Sequence, residues 1–235
     1  MHIAVVIPAL DEAETIADAI ASAGIEDADG PEKPDDSDLR TEILVVDGGS
    51  HDRTADRARA AGARVLTSPP GRALQLETGW RATEGEVVLF LHADTRLPRG
   101  WAAALRDALR DPSVVAGAYR LRFAERSPGL AIVEWGARLR ARWAGLPYGD
   151  QALFARRSAL AAIGGIAPVP IAEDLDLVRA LGRRGRIALL PQEVVTSARR
   201  YLRGGVLRVW LRHAVALLGW RLGVDRERLA RWVRS

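Results

Sequence analysis

The 235-residue chain contains no cysteine. Disulfides, zinc–thiolate centres and thiol nucleophiles are therefore excluded, and the redox compartment cannot be read from the composition. Lysine is almost missing as well: Lys33 stands alone beside 33 arginines. A net charge of +4 is too small to argue for a nucleic-acid partner, so none is expected. Long apolar runs are also lacking. The most apolar C-terminal window, residues 206–222, is interrupted by Arg208, Arg212, His213 and Arg221, which argues against a membrane span. The apolar start at residues 3–10 has no basic flank, is broken by Pro8 and runs into Asp11, Glu12 and Glu14. It does not read as a secretion signal, and a cytoplasmic chain is the expectation. Glycine-rich phosphate loops are missing too: no G-x-G-x-x-G and no Walker-type loop follows any expected strand.

The charge is unevenly placed. Residues 199–235 hold ten arginines against Asp225 and Glu227, a local +8 that leaves the preceding residues at −4. A basic partner surface, if there is one, is C-terminal.

Residues 3–9 form a β-branched apolar run, after which Asp11 is expected to cap a helix carrying Ile16, Ala19, Ile20 and Ala23 at helical spacing. Residues 25–40 turn acidic and proline-containing and read as a mobile surface loop. Strands are expected at 43–46, 64–67 and 87–91, with helices at 53–61 and 71–82 between them. This alternation predicts an α/β protein with a doubly wound, mostly parallel sheet. Beyond it the spacing predicts a helix near 101–109, a strand through 114–123, an amphipathic helix around 130–143 and a strand at 152–156, with antiparallel additions here. A helix after Glu173, strands near 187–190 and 194–197, and helices at about 204–222 and 226–234 complete the reading.

In open α/β sheets ligands sit beyond the carboxyl ends of the strands, and three such ends carry acids. These are residues 8–12, 47–52 and 92–95. His92-Ala93-Asp94 could serve a divalent cation that bridges two phosphates, because such an ion needs only one or two protein oxygens plus water; a turn capped by the aspartate is the plainer reading. Asp47, before Gly48-Gly49-Ser50, could accept from a base N–H or a ribose hydroxyl, or could simply close a strand-to-helix turn with Ser50 or Asp52 as cap. Glu173-Asp174 precedes a helix and is either a pair of dipole partners or a general base beside a second carboxylate that raises its proton affinity.

Taken together, Val5-Val6-Ile7-Pro8-Ala9-Leu10-Asp11-Glu12, Val45-Val46-Asp47-Gly48-Gly49-Ser50 and Leu91-His92-Ala93-Asp94-Thr95 resemble the nucleotide-sugar-dependent glycosyltransferases of family 2, with the GT-A fold. The resemblance covers residues 1–201 as a GT-A domain and leaves 202–235 as a C-terminal extension of amphipathic helices, packed on the domain or membrane-facing. It implies that Asp47 and the loop with Pro8, Leu10 and Glu12 hold the nucleoside. Gly71, Arg72 and Gln75 would help cover the nucleotide. Asp94 would bind the metal, Mg²⁺ or Mn²⁺, as the second acid of a D-x-D motif whose first acid is His92 here, with Ala93 between them. Gly149, Asp150 and Gln151 would face the acceptor, and Asp174 with Glu173 would supply the base. Arg199 and Arg200 correspond in place to the Q-x-x-R-W segment of processive members; only Arg200-Tyr201 echo its Arg-Trp, so a non-processive, inverting enzyme is implied. Pro147-Tyr148-Gly149-Asp150-Gln151, the Glu-Asp pair and Ser197-Ala198-Arg199-Arg200 resemble the short bacterial members of the selenodomain-associated type.

The expected donor is a nucleoside diphosphate sugar, leaning to UDP, and the acceptor an undefined hydroxyl compound, lipid-linked or apolar. Peripheral contact with an anionic membrane at the inner face of the cell membrane goes with the arginine-rich C-terminus and with Trp210, Trp220 and Trp232. A nucleotidyltransferase forming a sugar nucleotide, or a non-catalytic nucleotide-sugar-binding protein docked to a membrane, are the alternatives.

Overall fold

The computed structural model describes residues 1–24 and 39–234. All but the last two residues of the acidic 25–40 segment lie outside the described residues. β1 (His2–Ala9) leads into α1 (Ile16–Ala23), and β2 (Arg40–Asp47) into α2 (Thr54–Ala60). β3 (Arg64–Thr67) leads into α3 (Arg72–Arg81), which returns to β4 (Val87–Phe90). There follow β5 (Thr95–Arg96), α4 (Trp101–Leu109), β6 (Val114–Phe123) and α5 (Pro128–Ala144). A 3-10 turn at Gly149–Gln151 precedes β7 (Phe154–Arg156) and α6 (Arg157–Ala162). The chain ends with α7 (Glu173–Gly182), β8 (Arg186–Thr196), α8 (Arg199–Gly204), α9 (Val206–Arg221) and α10 (Arg226–Arg234).

The strands form one sheet in the order β3-β2-β1-β4-β7-β6-β8-β5. β3, β2, β1 and β4 are mutually parallel, as the strand–helix rhythm predicts, and β7 pairs antiparallel with both β4 and β6. Successive β1 residues feed opposite cores: Ile3, Val5 and Ile7 face one apolar cluster with α1 and α4, while Val6 faces the other with α3, α6 and α7. Burial on both faces explains why β1, β2 and β4 read as continuous apolar runs instead of alternating ones.

Three expectations need correction. Asp11 does not cap α1: its backbone lies at φ 54° and its carboxylate accepts from the His51 N–H at 2.8 Å, while the helix opens after Thr15. The two strands expected around residues 187–197 are one, β8, because a bulge in its pairing with β6 absorbs Pro191 and Gln192. A short helix, α8, precedes the one expected at about 204–222, which is α9; the reading held no helix at 199–204, and Gly205 with φ 80° separates the two. α8 also runs through the expected limit between residues 201 and 202.

The C-terminal helices pack on the domain. Trp220, expected to face lipid, is only 7% exposed and joins Ala172 and Leu175 in a small apolar cluster. Its Nε1 donates to Asp176 Oδ1 at 2.7 Å, and the Arg226 guanidinium grips both oxygens of the same carboxylate at 2.8 and 2.9 Å. α7 is thereby tied to α9 and α10. Among the described residues no helix is long and apolar enough to cross a membrane.

Candidate active site

The loops after β1 and β2 are locked to each other. Ser50 Oγ accepts the Asp11 N–H at 2.9 Å, Thr54 Oγ1 accepts the Glu12 N–H at 2.8 Å, and Asp52 accepts the Ala13 N–H at 3.1 Å. Asp52 also receives the Thr54 N–H at 2.9 Å just ahead of α2, but the N-cap position of that helix is Arg53, so neither Asp52 nor Ser50 is its cap. Asp47 is buried at the end of β2, and both its oxygens accept from Ser50, through the N–H at 3.2–3.3 Å and through the hydroxyl. It therefore closes its own turn. Pro8 is half-buried and Leu10 is exposed at the rim of these loops.

Gln75 lies beneath them, 4% exposed, with its Nε2 donating to the carbonyls of Ala9 and Val46 at 2.9 Å each. Instead of covering a ligand it stitches the ends of β1 and β2 together. Gln75→Ala is expected to lower stability by about 1–3 kcal/mol, since buried carbonyls lose a partner; urea unfolding measures it.

The segment after β4 carries His92, Ala93 and Asp94, of which Ala93 is buried. A cleft of ≈ 150 Å³ runs beside Asp94, lined also by Thr15, Asp18, Glu125 and Ser197. Burial, and then the nearby Glu12, push the Asp94 carboxyl above the usual carboxylate range. Arg199, at the start of α8, spans the two acids, pairing with Glu12 and lying 3.5 Å from Asp94. Arg200 is exposed and makes no ion pair among the described residues, yet its charge reaches Asp94 and His92. Glu125 holds this turn by accepting the Ala198 N–H at 2.7 Å.

Across the sheet, Ala172 in the left-handed region (φ 62°) delivers Glu173 and Asp174 to the first turn of α7. Glu173 is buried and sits 2.9 Å from Arg72 Nε; burial pushes its carboxyl up, and Arg72 opposes the shift. Asp174 Oδ2 accepts the Gly149 N–H at 2.9 Å and lies 3.8 Å from Arg72 Nη2. Gly149 is the junction of the site. A methyl group there would come within 2.0 Å of Arg72 Nη2 and 3.2 Å of His92 Nε2, so any larger residue would push the Arg72 guanidinium aside. His92 Nε2 is buried without a partner among the described residues, and burial together with Arg72 and Arg200 holds the ring neutral. Asp150 Oδ1 likewise lacks a partner, and burial pushes its carboxyl up.

Gln151 is 1% exposed, donates to the Tyr119 carbonyl at 2.9 Å and accepts the Tyr148 N–H at 3.1 Å. It braces the turn from below, out of an acceptor's reach. Arg140 escaped the sequence reading, and Tyr148 entered it only as part of the 147–151 segment, without a role. The Arg140 guanidinium stacks 3.3 Å over the Tyr148 ring and donates to the Leu146 carbonyl, fixing the approach to Gly149. Glu77, three residues before Trp80, accepts the Trp80 indole N–H at 2.5 Å and the Ile166 N–H at 2.7 Å, anchoring the glycine loop before α7.

No group of three or more His, Asp or Glu side chains that could hold an ion by itself occurs among the described residues. One desolvated carboxylate, Asp94, with a neutral imidazole two residues before it, fits an ion that arrives with a diphosphate and keeps its waters.

Residues 4–163 match the family described as Glycosyl transferase family 2. Among curated proteins, glucosyl-3-phosphoglycerate synthase of Mycolicibacterium paratuberculosis (strain ATCC BAA-968 / K-10) is 37% identical over 101 residues, 39% of this chain and 28% of that protein. The synthase of Mycolicibacterium smegmatis is 33% identical over 101 residues, 39% of this chain and 30% of that protein. The match thus spans under a third of these relatives' length. Among solved structures, the Mycobacterium tuberculosis synthase with Mn²⁺, UDP and glucosyl-3-phosphoglycerate superposes with a TM-score of 0.65 at 26% identity, over 95% of this chain and 80% of that one. The same enzyme with Mn²⁺ and UDP-glucose gives 0.62 at 25% identity, over 95% and 79%.

Proposed function

Because the chain belongs to glycosyl transferase family 2, we propose that it transfers a sugar from a nucleoside diphosphate sugar to an acceptor hydroxyl, with a UDP-sugar as donor and UDP-glucose the first to try. One observation carries the reading. Gly149 meets His92 and Arg72 on one side and Asp174 on the other, so the acid-bearing end of β4 and the carboxylate pair of α7 border one space. Residues 1–201 are the catalytic unit and 202–235 a helical extension packed on it. Within the family, Pro147 to Gln151, the Glu173–Asp174 pair and Ser197 to Arg200 favour the short selenodomain-associated type.

Asp94, with His92 beside it, would hold a Mg²⁺ or Mn²⁺ that compensates charge on the departing diphosphate. Arg200, unpaired and exposed, donates to the phosphates, and Arg199 does so once it lets go of Glu12. Arg72 holds Glu173 and leaves Asp174 to take the proton of the acceptor hydroxyl as its oxygen attacks the anomeric carbon from the face opposite the leaving group. The acceptor enters past Gly149 and Asp150. It is lipid-linked or apolar, and the enzyme works in the cytoplasm against the inner face of the membrane. The arginine-rich C-terminal helices, suited to an anionic leaflet, support that placement.

A panel of nucleotide sugars, each with and without Mn²⁺, tests this by thermal shift, because a selective ligand stabilises the native state. A UDP-sugar raises Tm with metal, and turnover releases UDP. Release of pyrophosphate instead would make the protein a nucleotidyltransferase; metal-assisted binding with neither hydrolysis nor transfer would make it a binding protein.

Asp47→Ala is expected to weaken the donor by about 10- to 100-fold, the worth of hydrogen bonds to a charged group. Calorimetric titration measures it, and unchanged affinity would leave Asp47 as a turn residue only.

A further inference from the structure

α5 and α9 are each apolar on two sides. On α5, Leu130, Val133 and Ala137 pack inward, while Ile132, Trp135, Leu139 and Trp143 recur every three or four residues on the opposite side at 43–77% exposure. On α9, Val209 packs into the same apolar cluster as α5 and Trp220 is buried further along, while Leu207, Leu211, Val215, Leu218 and Leu222 form an outer stripe at 43–73% exposure. The two helices meet near their first turns, where Gly129 lies against Val206, and share that cluster, so both outer stripes turn away from one core. A monomeric soluble protein rarely shows so large an apolar surface without an occupant.

Charge selects the occupant. Arg142 on α5 and Arg208, Arg212 and Arg221 on α9 flank the stripes and make no ion pair among the described residues. α9 has no acidic residue, and the single one on α5, Glu134, is buried and accepts the Phe123 N–H at 2.7 Å. Two copies meeting through this face would set arginine against arginine with no carboxylate between. An anionic bilayer meets both needs: acyl chains take the leucines, headgroups take the guanidinium groups, and Trp135, Trp143 and Trp210 suit the interface between them.

We propose that α5 and α9 form one docking face for an anionic lipid bilayer, with α5 as much a part of it as the C-terminal helix. The face leads to the site. α5 ends at Ala144, and the chain reaches Gly149 and Asp150 five and six residues later, so a hydroxyl on a membrane-embedded lipid is presented beside Asp174. This last step rests on the transferase reading above.

The full-length chain is sedimented with phosphatidylcholine vesicles containing none or about a third phosphatidylglycerol, and hydrolysis of a UDP-sugar is followed in parallel without vesicles. The chain pellets with the anionic vesicles at low salt and is released as salt rises from about 0.1 M to about 1 M, where screening shortens from about 10 Å to about 3 Å. Trp135→Ser with Trp143→Ser, both on exposed α5 positions, lowers the partition at least about tenfold, as expected for removing two interfacial anchors, with hydrolysis unchanged. Leu207→Ser with Leu211→Ser does the same from α9. Binding indifferent to the α5 pair overturns the proposal. So does a dimer, seen by analytical ultracentrifugation, that the α5 pair disperses. Vesicle binding by a chain that neither hydrolyses a UDP-sugar nor transfers from it to any acceptor extract defeats the transferase reading alone; hydrolysis without vesicle binding defeats the docking face alone.

Discussion

Asp174→Asn is expected to lower kcat for transfer by about 10²- to 10⁴-fold, the usual worth of a positioned general base, and to leave donor affinity nearly unchanged. Asparagine keeps the shape and can still accept the Gly149 N–H, which now meets Asp174 Oδ2 at 2.9 Å. It cannot take a proton. The neighbours divide the labour: Glu173 is buried against Arg72 at 2.9 Å, so its charge is spent on holding the guanidinium in place. Asp150, with an unpartnered oxygen and a raised proton affinity, is the group that takes over the role if Asp174→Asn keeps normal turnover. Single-turnover assays beside donor titration separate these outcomes. Product stereochemistry is the second check, because one displacement assisted by Asp174 inverts the anomeric centre; a retained configuration would remove the base assignment altogether.

Asp94→Asn is expected to cut kcat/KM by about 10²- to 10³-fold, in line with several kcal/mol of charge compensation at the departing diphosphate. It should also abolish the added thermal stabilisation that Mn²⁺ gives in the presence of donor. The substitution has a second effect that can be read separately. Asp94 is desolvated and shares Arg199 with Glu12, so its neutral replacement leaves Arg199 to Glu12 alone. Stability without ligand therefore changes little, and a Tm held near that of the parent with the metal response gone is the signature expected. Metal-dependent activity surviving in Asp94→Asn would overturn the assignment.

The parallel half of the sheet was legible because β1, β2 and β4 are buried on both sides and advertise it with unbroken apolar runs. β7 was legible as the strand expected at 152–156, whereas β5, two residues long, is too short to show any period, and Pro191 made one strand look like two because a bulge cannot be seen in composition. In the site, the acids at strand ends were legible from their place alone. Gln75 and Gln151 were misplaced for a shared reason: a polar side chain reads as surface or ligand contact, while its actual partners are main-chain carbonyls 66 and 32 residues away, which no local pattern reveals. Trp220 was read as lipid-facing because α9 is apolar on both sides, and periodicity does not say which side meets protein.

β7 has a mechanical consequence. It is only three residues long, and among the described residues it alone joins the parallel strands that end at Asp47 and near Asp94 to β6, which lies against the 149–151 turn. Its placement is keyed by Phe154, which lies over Gly117 so closely that a methyl group on the glycine would come within 2.3 Å of the ring. Sliding the strand by one residue would turn Phe154 to the other face and lose that fit. The relative alignment of the Asp47 and Asp94 strand ends with the 149–151 turn is thus gauged by a single aromatic ring seated on a bare backbone, well below the surface that carries them.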